Sequence, residues 1–134
     1  MEQNIEVYER MIDKLINIHK DSKIEIFGAL KNLGLFSDDF LLQIISYLKI
    51  GRLYQIVCEE LPDFKYFNLV IGESNFFYHD DNHCICNTSF KEKIKNKNIC
   101  KHLLTFKILL GINNYTKIYF DKEEMIQLIK EKSF

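Results

Sequence analysis

Apolar residues recur every three or four positions over residues 3–19: Ile5, Tyr8, Met11, Ile12, Leu15, Ile16 and Ile18. Glu6, Glu9, Arg10, Asp13 and Lys14 fill most of the places between them. That spacing predicts an amphipathic helix. Asp21-Ser22 breaks and caps the chain, and a second, shorter helix follows from Lys23 to Leu33, ending near Gly34. Ser37 then caps a third helix, with Phe40, Leu41, Ile44, Ile45 and Leu48 as its apolar stripe and Gly51 as its stop. Core packing accounts for all three stripes.

From Arg52 the period shortens. Leu53-Tyr54-Gln55-Ile56-Val57-Cys58 is a short β-rich run, halted by Leu61-Pro62-Asp63. Phe64 to Ile71 forms the next strand, and its two faces are both mostly apolar, which suits a sheet covered on both sides. Gly72-Glu73-Ser74-Asn75 predicts a four-residue turn, with Phe76-Phe77-Tyr78-His79 as the returning strand of a hairpin. Asp80-Asp81-Asn82 turns the chain again. Lys91 to Asn98 is polar and lysine-rich and predicts a loop. Cys100 to Leu110 predicts a helix with Leu103, Leu104, Ile108 and Leu109 or Leu110 inward, ended by Gly111. Asp121, with Glu124 three residues on, makes a capping box for a last helix striped by Met125, Ile126, Leu128 and Ile129. The expected fold class is α+β, one compact domain overall. Residues 1–50 form a helical region; residues 51–134 hold a small antiparallel sheet of about three strands, a hairpin-plus-helix module and the C-terminal helix.

Composition narrows the functional classes. The chain has 134 residues, 47% hydrophobic and 28% charged, with a formal net charge of -1. That length suits a single domain, although one so short can lean on a metal or a partner for part of its stability. No apolar run approaches the roughly 20 residues of a membrane span, because Lys49, Lys107 and Asn113 interrupt the longest. Met1-Glu2-Gln3-Asn4 lacks the basic start and apolar stretch of a signal peptide, which points to an intracellular protein. Near-neutral charge argues against a polyelectrolyte coating nucleic acid, but leaves room for a local basic patch.

In a reducing interior, clustered cysteines point first to metal or redox chemistry. Cys84-Ile85-Cys86 is followed, after thirteen intervening residues, by Cys100-Lys101-His102. Zinc favours a tetrahedron of thiolate sulfur and imidazole nitrogen, and three Cys with one His is a recognised structural set. Residues i and i+2 at a hairpin end share a face, so Cys84 and Cys86 can turn both sulfurs to one side. Cys100 enters a helix and His102 lies in its first turn, so one kink can aim both inward. His79 and His83 are rival ligands: His83 adjoins Cys84 and reads as a flanking residue, His79 as a strand-edge side chain. Cys58 reads as core and His19 as a helix-surface or packing residue. Four protein ligands close the metal shell, and the chain lacks both a Gly-rich phosphate loop and a His-Glu-x-x-His run, so an enzyme is not expected. Lys91, Lys93, Lys95, Lys97 and Lys101, opposed only by Glu92, could neutralise phosphates, with Phe90 stacking on a base; a solvated loop accounts for them equally well.

C-x-C followed at a distance by C-x-H resembles the SWIM zinc finger. Cys100-Lys101-His102-Leu103-Leu104 resembles most closely the second half of that motif in the small SWIM-domain proteins of the Shu recombination complex. The likeness spans about residues 35–132 and is tightest across 76–110. It implies Zn2+ on Cys84, Cys86, Cys100 and His102. It also implies a non-catalytic subunit that pairs with a RecA-like recombinase paralogue, acts on single-stranded DNA through that complex during homologous recombination, and resides in the nucleus. Thr105 departs from the family, which usually has a small residue such as Ala there. A stand-alone nucleic-acid-binding zinc module is the alternative. For the partner subunit, an apolar surface including Phe76, Phe77, Leu104 and Ile108 is expected.

Overall fold

The computed structural model describes residues 5–78, 91–94 and 97–132. Three helices come first: α1 (Ile5–Ile18), α2 (Lys23–Asn32) and α3 (Asp38–Ile50). Strands β1 (Arg52–Val57), β2 (Tyr66–Ile71) and β3 (Ser74–Tyr78) follow, then β4 (Lys91–Ile94) and β5 (Lys97–Cys100). Helix α4 (Lys101–Gly111), strand β6 (Thr116–Tyr119) and helix α5 (Lys122–Lys132) complete the α+β chain.

Local chemistry explains the helix starts. The Ser22 hydroxyl accepts from the Glu25 amide at 3.3 Å, and the Ser37 hydroxyl from the Phe40 amide at 3.1 Å. Each satisfies an amide that the helix itself leaves without a partner. At α5 the box is reciprocal: Asp121 Oδ1 accepts from the Glu124 amide at 2.8 Å, and Glu124 Oε1 from the Asp121 amide at 3.0 Å. Helix α2 closes at Gly34, whose φ of 69° is open to glycine at little cost.

The main sheet has four strands in the order β3-β2-β1-β6, antiparallel except for the parallel β1–β6 pair. The expected three-stranded antiparallel sheet is therefore a mixed one. Strand β6 escapes periodicity because all four of its residues are exposed. It carries no buried face to read, and its backbone bonds to β1 make it a strand. The hairpin turn is also tighter than expected. Ile71 pairs with Ser74, which leaves only Gly72-Glu73 between the strands, with Gly72 at φ 62°. The lysine-rich segment expected as a loop forms β4 and β5, paired antiparallel from Lys91↔Cys100 to Ile94↔Lys97. Backbone pairing needs no apolar side chains, and the lysines hid it.

Alternation along the strands splits the apolar residues between two clusters. Leu53 and Leu69 join Ile12, Ile16, Ile26, Leu30, Phe40 and Ile44 of the first three helices around α4. Ile56, Cys58 and Tyr66 point the other way, under Met125 and Leu128 of α5. The sheet is covered on both faces, as its sequence predicts. Helix α4 lies at the centre: every residue from His102 to Leu109 is buried. Its Phe106 stacks on Tyr78 (centroids 4.4 Å, interplanar 5°) and tilts against Phe67 at 5.2 Å. Even Lys107, only 7% exposed, is accommodated, because its Nζ donates to Asp13 Oδ1 of α1 at 2.9 Å. Among the described residues, no helix is long and apolar enough to cross a membrane.

Candidate metal centre

The junction of β5 and α4 places two of the four expected ligands. Cys100 is the last residue of β5 and the N-cap of α4, in an extended conformation (φ -81°, ψ 130°). The chain bends there into the helix, so His102 falls in the first turn and comes round to the same side. Cys100 Sγ and His102 Nδ1 are 3.5 Å apart, and both residues are only 4% exposed. Two ligands of one tetrahedral zinc, with Zn–S and Zn–N bonds of usual length, stand about 3.6 Å apart. The pair therefore fits a shared ion, with Nδ1 as the coordinating nitrogen. A sulfur–nitrogen hydrogen bond has a similar separation.

The surroundings hold this pair in place. The His102 ring stacks on Phe76 of β3 (centroids 3.9 Å, interplanar 20°) and on Tyr47 of α3 (5.6 Å, 20°). Burial among rings fixes the imidazole's orientation and keeps water from the sulfur–nitrogen pair. The amide end of α4 favours negative charge on the Cys100 sulfur, as a thiolate ligand requires. Lys101 lies between the two, with its Nζ 5.8 Å from the Phe40 ring centroid. Thr105 is fully buried, and its hydroxyl donates to the Lys101 carbonyl at 2.9 Å. That bond supplies the partner a buried hydroxyl needs, so threonine is accommodated at this position.

Cys84, Cys86, His79, His83, Lys95 and Phe90 lie outside the described residues. Among the described residues, no group of three or more His, Cys, Asp and Glu side chains converges. What the fold supplies is one half of the expected set, next to the strand that leads toward the other half: β3, ending at Tyr78, is the element whose Phe76 packs on His102. Cys58 is core, as expected. His19 Nδ1 stands 3.5 Å from Glu25 Oε2, between the ends of α1 and α2 and far in sequence from the cysteines.

Two of the four residues expected on an apolar partner surface are core, and the other two, Phe76 and Phe77, are half-buried. Leu104 and Ile108 are 1% and 0% exposed. Phe76 is taken up by His102, and Phe77 packs against the cluster beneath α5. Helix α4 is central, so the stripe that looked surplus is core. Tyr47 escapes sequence reasoning because its place beside His102 depends on how α3 lies against α4. No family model, curated protein or solved structure matches the chain.

Proposed function

We propose that this chain is a non-catalytic zinc-binding adaptor of the SWIM type, a subunit of a Shu-type complex in nuclear DNA repair by homologous recombination. In this reading Cys84, Cys86, Cys100 and His102 hold one Zn2+, and the chain pairs with a RecA-like recombinase paralogue. The observation that carries it is the buried Cys100–His102 pair, spaced as two ligands of one tetrahedral ion. Complex membership and nuclear location rest on the motif resemblance alone. A closed shell of four protein ligands serves structure, since it leaves no position for a substrate or a reactive water. Binding free energy at such a site is folding free energy, so the ion would tie the chain around Cys84 and Cys86 to the start of α4.

The test is co-expression of the tagged full chain with RecA-like paralogues, followed by metal analysis of what co-purifies. The expected result is one zinc per chain and a stable complex, with Cys100→Ser and His102→Ala losing the metal and the partner together. A chain that carries zinc but retains no RecA-like subunit would refute the adaptor role while keeping the metal site. A metal-free complex would refute the site.

A further inference from the structure

A second site lies where α3 ends and β1 begins, and the residues that line it play no part in the metal centre or in any surface expected for a partner. Three cationic side chains from three elements meet at one cleft of about 290 Å³: Lys23 opening α2, Lys49 closing α3 and Arg52 opening β1. Tyr54, Tyr115 and Thr116 complete its polar wall, and among the described residues no carboxylate lines it. Among the described residues, no carboxylate pairs with any of the three cations.

The backbone makes this arrangement definite. The Gly51 amide donates to the Tyr47 carbonyl at 2.7 Å, and a Cβ at Gly51 would lie 2.6 Å from that same oxygen. Only glycine permits so sharp a passage from α3 into β1, and the passage sets Lys49 and Arg52 on its two sides. Arg52 Nη1 donates to the Gly51 carbonyl at 3.3 Å, which steadies the guanidinium and leaves its other N–H groups to a ligand. Tyr54 and Thr116 are partners in the parallel β1–β6 register, so a ring and a hydroxyl stand side by side along the wall of the cleft.

Cations without carboxylates next to tyrosine rings are the chemistry of a nucleotide: phosphate on the charges, base against a ring. We infer that this cleft binds nucleotides within a single strand of nucleic acid, with Lys23, Lys49 and Arg52 on the backbone and Tyr54 or Tyr115 against a base. Among the described residues, none of β4 or β5 lines the cleft. The inference does not depend on zinc or on a partner subunit, so it can fail or survive separately from the adaptor reading.

Fluorescence anisotropy of a short labelled oligothymidylate with the full chain tests it. Three released counterions predict affinity falling by about twentyfold between about 50 and 200 mM salt. In K23Q/K49Q/R52Q, all three exposed and outside the core, the log–log salt slope should shrink by about 2 and low-salt affinity drop at least about tenfold. The expected controls are K65Q/K130Q and K91Q/K93Q/K97Q, both binding as the parent does. Failure of thymidine monophosphate and of inorganic phosphate to displace the strand at matched phosphate concentration supports the strand as the source. Equal displacement by the monophosphate would overturn it in favour of free nucleotides. No binding at low salt, unchanged binding in the cleft variant, or loss confined to the β4–β5 variant would overturn the site itself.

Discussion

Gly111→Ala separates two effects of opposite sign. Gly111 is the last residue of α4, and within a helix alanine is ordinarily preferred to glycine by about 1 kcal/mol. Propensity alone therefore predicts stabilisation. The structure predicts the reverse, because a Cβ at Gly111 would stand 2.3 Å from Ile16 Cγ2 and 3.7 Å from Ile16 Cβ. Carbon atoms rest about 3.5–4.0 Å apart. Ile16 cannot swing away: it is β-branched and stiff at χ1, and it is 3% exposed within the main core. Overpacking of this kind costs about 1–3 kcal/mol, and a contact so short belongs in the upper part of that range. The net effect expected is a loss of about 1–2 kcal/mol. Urea unfolding should show a lower midpoint at an unchanged slope. In Gly111→Ala with Ile16→Ala, the added methyl enters space the isoleucine has left, so the two losses should sum to less than their separate values by about 1 kcal/mol or more. A Gly111→Ala chain as stable as the parent, or strict additivity with Ile16→Ala, would refute the close approach of α1 to α4.

Further outcomes follow from other parts of the molecule. Co2+ added to the metal-stripped chain should give the visible bands of a tetrahedral thiolate–imidazole site. Cys100→Ser and His102→Ala should each weaken metal binding by more than about tenfold, since even outer-shell partners cost that much; unchanged titrations would remove both residues from the ligand set. Asp121→Ala breaks the reciprocal cap of α5 and should cost about 1 kcal/mol. Faster amide exchange in α5 with little change in α4 would report that loss, and a uniform change along the chain would count against a local cap. Burial raises the Tyr66 hydroxyl above its usual pKa of 10.0. The folded state then holds that proton more tightly than the unfolded chain, so the stability is complete below pH about 10 and falls as pH rises past it. The urea midpoint of Tyr66→Phe should decline less steeply across that window than the parent's, and identical slopes would exclude Tyr66 as a contributor.

Much of the local structure was legible because its causes are local. The helix starts at Ser22, Ser37 and Asp121 each rest on a side chain and an amide three residues apart, and such pairs can be read directly. The bend between Cys100 and His102 is of the same kind, a two-residue event at a helix entrance. The closeness of Cys100 Sγ and His102 Nδ1, 3.5 Å apart, follows from that local bend. The apolar stripes of α1 and α3 likewise mark buried faces at Ile12, Ile16, Phe40, Leu41, Ile44 and Leu48, although Met11 and Ile18 of the first stripe are exposed.

What depended on distant residues was not legible. Gly111 reads as a helix stop, yet its task is to admit Ile16 from the far end of the chain. Lys107 reads as an interruption in an apolar run, yet Asp13, 94 residues earlier, receives it. Leu104 and Ile108 read as the inward side of their helix, and they are buried, but no periodicity showed that the helix would be enclosed from His102 to Leu109 and leave them no surface to offer a partner. The basic cleft draws on α2, α3, β1 and the approach to β6, and no window of sequence holds more than part of it. Sequence by itself determined the helices, their caps and the spacing of the cysteines and histidine, because hydrogen bonds and periodicity act within a few residues. Tertiary structure alone decided which face is buried, that β6 pairs with β1, and which charges share a cleft, because those follow from contacts that exist only once the chain has closed on itself.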